Sequence, residues 1–238
     1  MLILCLTLRN ELPFKRMSSI LKPNIKNIIF DLGDVIIPIN PGLTAMAFAQ
    51  LSGLTVPQVQ ALFFEHKVFQ QFETGLVDDA GFRDHVRTIL NNNDWADEVI
   101  DEAWNTLLLE LPLDRIRRIQ ELRGHYRLFL LSNTSPIHIR EVNQKLAKVA
   151  GIDTLDKLFE KVYYSYDIRM MKPSPDIYQF VLNDAGLLAE ETVFLDDNAD
   201  NIRAAAELGI QAVQVQPPLT IIDYLREEPG PKDVPAAG

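Results

Sequence analysis

Cysteine is almost absent: Cys5 is the only one in 238 residues. No internal disulfide is possible, and a reducing, cytoplasmic setting is expected. Long apolar runs are missing too. Met1 to Leu8 is apolar but far short of the about 20 residues needed to span a bilayer. It has no basic segment ahead of it and no small-residue cleavage site behind it, which argues against a signal peptide. Positive charge is scarce: 23 Lys and Arg against 33 Asp and Glu give a net charge of -10. That balance argues against nucleic acid or an anionic membrane as partner. It leaves room for a phosphorylated substrate, because a bound divalent cation can supply local positive charge. The four histidines, His66, His85, His125 and His138, show no metal-ligand or triad spacing and read as structural or solvated. No internal repeat is visible.

What is present is ordinary for a globular protein, 47% hydrophobic and 24% charged. The length allows one large core, or one core with a small accessory domain. Met17 opens a more usual start than Met1, so residues 1–24 are expected to be a disordered leader or partly a start-site artefact. Residues 227–238, rich in proline and glycine, are expected to be a disordered tail.

The stretch Asn27 to Ile37, NIIFDLGDVII, organises the rest. Ile28-Ile29-Phe30 reads as a buried parallel strand that runs into Asp31. Open α/β sheets bind ligands at the carboxyl ends of such strands. Leu43 to Leu111 then turns helical, with no convincing strand. Leu43, Met46, Ala47 and Leu51 mark one helix stopped by Gly53. Val59, Leu62, Phe63 and Phe69 mark a second, and Asp78 or Asp79 caps a third. This insert, residues 41–111, reads as a small helical domain over the first strand's end, or else as helices that extend the core. Further strands follow at Tyr126 to Leu131, Val162 to Tyr164, Thr192 to Leu195 and Ala212 to Val215, each separated by a helical run. Such alternation predicts a doubly wound parallel α/β sheet, built from residues 25–40 and 112–226.

Asp31, Ser132 and Asp196-Asp197 each follow a strand directly, so a parallel sheet gathers them on one edge. Three carboxylates there repel one another unless a cation lies among them, and this donor set suits Mg²⁺. A carboxylate beside that metal can attack phosphorus and split one hard displacement into two easier ones. Ser132 and Asn133 can donate hydrogen bonds to phosphate oxygens. Lys172 can neutralise charge on the nucleophile and phosphoryl group.

FDLGDV at Phe30 to Val35, LLSNTS at Leu130 to Ser135, MKPSPDIY at Met171 to Tyr178 and VFLDDNADNI at Val193 to Ile202 occur in this order. In these motifs the chain resembles the haloacid dehalogenase-like hydrolase superfamily, over roughly Asn27 to Val215. The helical insert is similar to that family's small α-helical cap. FETG at Phe72 to Gly75 and the first motif look most like bacterial sugar-phosphate phosphatases, those acting on α-glucose 1-phosphate above all. The resemblance implies a Mg²⁺-dependent phosphatase acting on a small phosphorylated metabolite, as monomer or homodimer. It makes Asp31 the phosphorylated nucleophile and a metal ligand, with Gly33 offering its carbonyl to the metal. Asp197 would be the direct acidic ligand with Asp196 nearby, and Asn201 would support the metal's water shell. Ser132 and Asn133 would hold the phosphoryl group, Lys172 would orient Asp31, and Glu73 would face the substrate.

One departure matters. Family phosphatases usually carry a second Asp two residues after the nucleophile to protonate the leaving group; here that position is Gly33. Such help is typically worth about 10²–10⁴-fold. Its absence implies a slow enzyme, a good leaving group, or a water or cap residue in its place; Asp34 serves only if the turn redirects it. Arg169, where relatives usually have glycine, contacts substrate or is solvated. A haloacid dehalogenase is the first rival, but that branch loses the metal carboxylates kept here. A phosphomutase needs the missing Asp, and a catalytically silent binding protein is the rival outside enzymes.

Overall fold

The computed structural model describes residues 20–226. Cys5 and residues 227–238 lie outside them, as does most of the expected leader. Where that leader is described it is not loose: Ile20 and Leu21 pack on the core, and the Gln211 side chain donates to the Ile20 carbonyl at 2.6 Å.

Five parallel strands form one sheet: β1 Asn27–Phe30, β2 Arg127–Ser132, β3 Lys161–Tyr164, β4 Thr192–Asp196 and β5 Gln211–Gln214, in the order β3-β2-β1-β4-β5. The first strand is therefore central, as its wholly buried sequence requires. Side chains alternate across it. Ile28 and Phe30 enter one apolar layer with α6 (Leu113–Leu122), α7 (Pro136–Ala150) and α11 (Ile221–Tyr224). Ile29 enters the other, with α9 (Pro175–Ala185) and α10 (Ala199–Glu207). Helices on both faces make the doubly wound arrangement expected from the alternating pattern. Register then fixes the functional edge. Phe30 pairs with Leu130 on one side and Leu195 on the other, and the Asp31 N–H donates to the Leu195 carbonyl at 2.8 Å. The next residue on β4 is Asp196, so Asp31 and Asp196 end adjacent strands side by side.

Between β1 and β2 stand α1 Pro41–Ser52, α2 Val56–Glu65, α3 Val68–Glu73, α4 Asp79–Ile89 and α5 Asp97–Asn105. They share an apolar cluster of their own around Phe48, Phe63, Phe72, Phe82 and Trp104. Trp104 also ties this insert to the sheet domain, since its Nε1–H donates to the Ser135 hydroxyl at 3.0 Å at the head of α7. α1 forms and stops at Gly53 as expected. The buried face of α1 is Thr44, Ala45 and Phe48, whereas Met46 and Leu51 are exposed. Thr44 turns inward because its hydroxyl donates to the Trp104 carbonyl at 3.1 Å. One helical expectation needs correction: the run expected to carry Val59 through Phe69 is two helices, broken where Lys67 adopts φ +51°. A short helix after the third strand, α8 Ser165–Ile168, went unpredicted.

The turn after Glu73 is pressed onto the sheet domain. Gly75 has φ +66°, and a Cβ there would sit 2.2 Å from the Tyr166 carbonyl oxygen. Gly75→Ala therefore meets both the left-handed backbone penalty, about 1–2 kcal/mol, and a clash with backbone that cannot swing away. A drop in thermal midpoint of roughly 3–8 °C is expected for a chain of this size, read by calorimetry.

Candidate active site

Lys172 is the hub of the sheet edge. Its Nζ lies 2.7 Å from Asp31 Oδ1, 2.7 Å from Asp196 Oδ2 and 3.0 Å from the Leu131 carbonyl. All three ammonium protons are thus directed, and its side chain is 1% exposed. Burial alone would lower its pKa, but the two carboxylates outweigh that and raise it, so it stays charged. Asp31 is raised too, which for a carboxyl favours the neutral form. Burial raises its carboxyl and Asp196 adds to this, although Lys172 opposes both. Asp197, half-buried, is also raised, by burial first and then by Asp196 and Asp34.

Oxygens of Asp31, Asp196 and Asp197 lie within 4.8 Å of one another. This set suits a hard divalent cation, which would offset the burial and the mutual repulsion that raise Asp31 and Asp197. The three are not equivalent. Asp196 is fully buried and already engaged: Oδ1 accepts from the Asn198 N–H at 2.8 Å, and Asn201 Nδ2 lies 3.0 Å from both its oxygens. It braces Lys172 and Asn201 more than it faces outward. Asp197 keeps its carboxylate available, while Gln214 holds its backbone carbonyl at 2.8 Å. Gly33 follows in the same turn; its carbonyl accepts from the Val35 N–H at 2.6 Å and retains a second lone pair.

Ser132 is buried at the end of β2, and its hydroxyl has one long contact, 3.5 Å to the Asn133 carbonyl. The Asn133 amide is differently used. Its Nδ2 donates to the Lys172 carbonyl and its Oδ1 accepts from the Lys172 N–H, each at 2.9 Å. It fixes the lysine loop with its oxygen and one of its two amide protons, which leaves the other proton and the backbone N–H as what it can offer a phosphate. Asp34 lies near enough to the edge to help raise Asp197, but one of its oxygens is engaged in the turn. With φ +54° it closes the turn, Oδ1 accepting from the Ile39 N–H at 3.0 Å. Arg169 caps α8 at φ +55° and is exposed, and that left-handed backbone accounts for glycine being usual there.

A cavity of about 200 Å³ lies between this edge and the helical insert. Gly33, Ser132 and Asn133 line one side, and Glu73, Phe69 and Trp104 line the other. A larger cleft of about 510 Å³ runs between α5 and α7, with none of the sheet-edge groups in its lining. The smaller cavity is the one that adjoins the sheet edge, through Gly33, Ser132 and Asn133. The Glu73 carboxyl, picked from the sequence, makes no hydrogen bond or ion pair among the described residues, and desolvation pushes it from 4.5 up to about 7 although the residue is only partly buried. Within that window the folded chain holds a proton that the unfolded chain has lost, so stability falls as pH rises from about 4.5 to about 7. Glu73→Gln is expected to flatten this part of the stability–pH curve, measured by denaturant titration.

Phe69, Trp104 and His138 were not expected at the site. Aromatics at helical spacing look like core, and most of Trp104 is core. His138 stacks on Trp104 at 4.6 Å between ring centres, with Nδ1 2.9 Å from Asn105 Oδ1. Burial lowers its pKa to about 3, so the ring is neutral.

The model of the haloacid dehalogenase-like hydrolase family matches residues 25–209. D-ribitol-5-phosphate phosphatase of Bacteroides thetaiotaomicron is 30% identical over 190 residues, 80% of this chain and 91% of that protein. A solved HAD family enzyme of the same organism, in complex with magnesium and inorganic phosphate, is 34% identical. It superposes with a TM-score of 0.75 over 81% of this chain and 94% of its own. A predicted HAD-like hydrolase of Porphyromonas gingivalis is 30% identical, with a TM-score of 0.72 over 80% and 90% of the two chains. Dehalogenases with solved structures share the fold at 17–22% identity. With its four motifs gathered on one sheet edge, and with these likenesses over most of its length, the chain belongs to the haloacid dehalogenase-like hydrolase family.

Proposed function

We propose that this protein is a Mg²⁺-dependent phosphatase of small phosphorylated sugars or polyols, working through an aspartyl-phosphate on Asp31. The observation that carries this reading is a buried carboxylate aligned by a buried ammonium, beside two more carboxylates able to share a cation. Asp31 and Asp197, with the Gly33 carbonyl, would hold Mg²⁺, and Asp196 would act chiefly through Lys172 and Asn201. When bound, the ion would shield the approach of one anion to another and polarise the phosphoryl group.

The chain's own groups then have distinct tasks. One Asp31 oxygen is held by Lys172, which keeps the carboxylate oriented and leaves the other oxygen to attack phosphorus. Ser132 and the Asn133 N–H donate to the phosphoryl oxygens. The lysine also draws charge off the aspartyl group as the P–O bond to it forms, and again as water later breaks that bond. The narrow cavity and its apolar wall limit the substrate to a small leaving group and exclude bulk water. The relative named for a polyol phosphate supports this class over the α-glucose 1-phosphate suggested by the first motif. Retention of Asp196 and Asp197 disfavours the dehalogenase reading.

Phosphate release from a panel of sugar and polyol phosphates, with Mg²⁺ and with chelator, tests the proposal. Metal-dependent release from at least one small substrate is expected. Release unaffected by chelator, or halide release from haloacids without any phosphate release, would overturn it.

A further inference from the structure

The phosphatase reading leaves one task unassigned: a proton must reach the alcohol oxygen as it leaves. We propose that Glu73, carried by the helical insert, supplies it. The inference rests on that reading and extends it to a residue outside the sheet domain.

The usual place for the acid carries none, because it is Gly33. At Gly33 a Cβ would come within 3.1 Å of Ile39 Cδ1, so the space over the turn already holds the Ile39 side chain. The neighbouring acid, Asp34, gives one carboxylate oxygen to the Ile39 N–H and does not line the cavity. Among the residues that line the cavity, Glu73 is the only one with a carboxyl group. It lines this space with Ser132 and Asn133 and with Phe69 and Trp104, and its carboxyl has no hydrogen-bond or ion-pair partner among the described residues.

Its placement is enforced from both sides. Phe72, just before it, is buried and stacks on Phe82 at 4.2 Å between ring centres. Gly75, just after it, lies against the Tyr166 carbonyl, a contact no larger residue permits. The carboxyl thus stands on a segment docked to the sheet domain, as proton transfer to a bound substrate requires. Desolvation raises its carboxyl to about 7, so a share of it still carries a proton at neutral pH, which is what an acid needs before the reaction begins.

The step balances as follows. Asp31 donates an electron pair to phosphorus, and the bond from phosphorus to the alcohol oxygen breaks. The alcohol oxygen keeps that pair and takes the Glu73 proton, leaving as a neutral alcohol. The Glu73 carboxylate then accepts a proton from the water that attacks the aspartyl-phosphate. Phosphate departs, and both carboxyl groups return to their starting states.

The test compares two leaving groups. A polyol phosphate needs the proton; p-nitrophenyl phosphate leaves as a stable anion and needs it far less. Glu73→Gln is expected to lower kcat on the polyol phosphate by about 10²-fold or more, with a loss on the aryl ester at least about tenfold smaller. The descent of the wild-type kcat–pH profile above about 7 should vanish with it. Glu73→Asp, which keeps the acid but shortens its reach, should show the same selectivity with a smaller loss. Equal losses on both esters, or a rise in KM with kcat and its pH profile unchanged, would overturn the assignment. Wild-type protein inactive on both esters would instead overturn the phosphatase reading itself.

Discussion

Asp31→Asn is expected to abolish turnover while leaving the fold intact. The amide matches the carboxylate in shape and can still accept from Lys172 through its oxygen, so the 2.7 Å contact has a replacement. Lys172 also keeps its partners at Asp196 and the Leu131 carbonyl. What is lost is the anionic oxygen that attacks phosphorus and one of the oxygens available to a cation. Removal of a covalent nucleophile leaves little for the remaining groups to do, and a fall in kcat of about 10⁴-fold or more is expected. Because burial disfavours the Asp31 charge, the neutral amide should fold at least as well without metal. Steady-state kinetics paired with thermal unfolding in chelator separates the two effects. A variant that retains more than a few per cent of wild-type kcat would show that Asp31 is not the nucleophile.

Lys172→Met should damage both activity and stability, and this combination distinguishes it from the aspartate change. Asp31 and Asp196 would stay in the sheet edge without their shared counter-charge. Breaking a buried pair in this way costs about 3–5 kcal/mol, because the stranded charge has no water to turn to. For a chain of this length that corresponds to roughly 6–20 °C in thermal midpoint. Asn133 would still bracket the backbone at residue 172, since both of its bonds there are to main-chain atoms, so the loop itself should hold. The loss in kcat is expected at about 10²–10³-fold, the scale of one electrostatic stabiliser. Added Mg²⁺ should recover part of the thermal loss, as a cation replaces some of the missing positive charge; no recovery at saturating metal would argue against the acidic cluster as its site.

Much of this was legible in the sequence because the sheet is parallel. A parallel strand buried on both faces leaves a near-continuous apolar run, and Ile28-Ile29-Phe30, Leu128 to Leu131 and Val193 to Leu195 all do so. Such strands point the same way, so Asp31, Ser132 and Asp196-Asp197 had to share an edge once those strands were placed. The helical insert was harder to read. Its helices bury one face against each other, and which face goes in depends on partners distant in sequence. Thr44 turns inward for the Trp104 carbonyl, while Met46 and Leu51, better apolar candidates by type, stay exposed. The break at Lys67 depends on a left-handed backbone that carries no glycine to announce it.

At the site, residue types could be named but not their commitments. Asn133 was expected to hold phosphate, yet its amide oxygen and one amide proton are spent on the lysine loop, a long-range pairing with no local signature. Asp34 and Asp196 likewise differ from Asp197 only in what their oxygens already touch. Phe69 and Trp104 look like core from their spacing, and only the packing shows that they also wall the cavity around Glu73.

The central claim is a covalent intermediate on Asp31, and the most direct test is an acid quench during turnover. Protein loaded with Mg²⁺ would be mixed with a substrate carrying a radiolabelled phosphoryl group, stopped on the millisecond scale, digested and mapped. The account predicts hydroxylamine-labile label on the peptide that contains Asp31, and neither label nor turnover in Asp31→Asn. Label confined to another peptide, or phosphate released by Asp31→Asn at the wild-type rate, would contradict it.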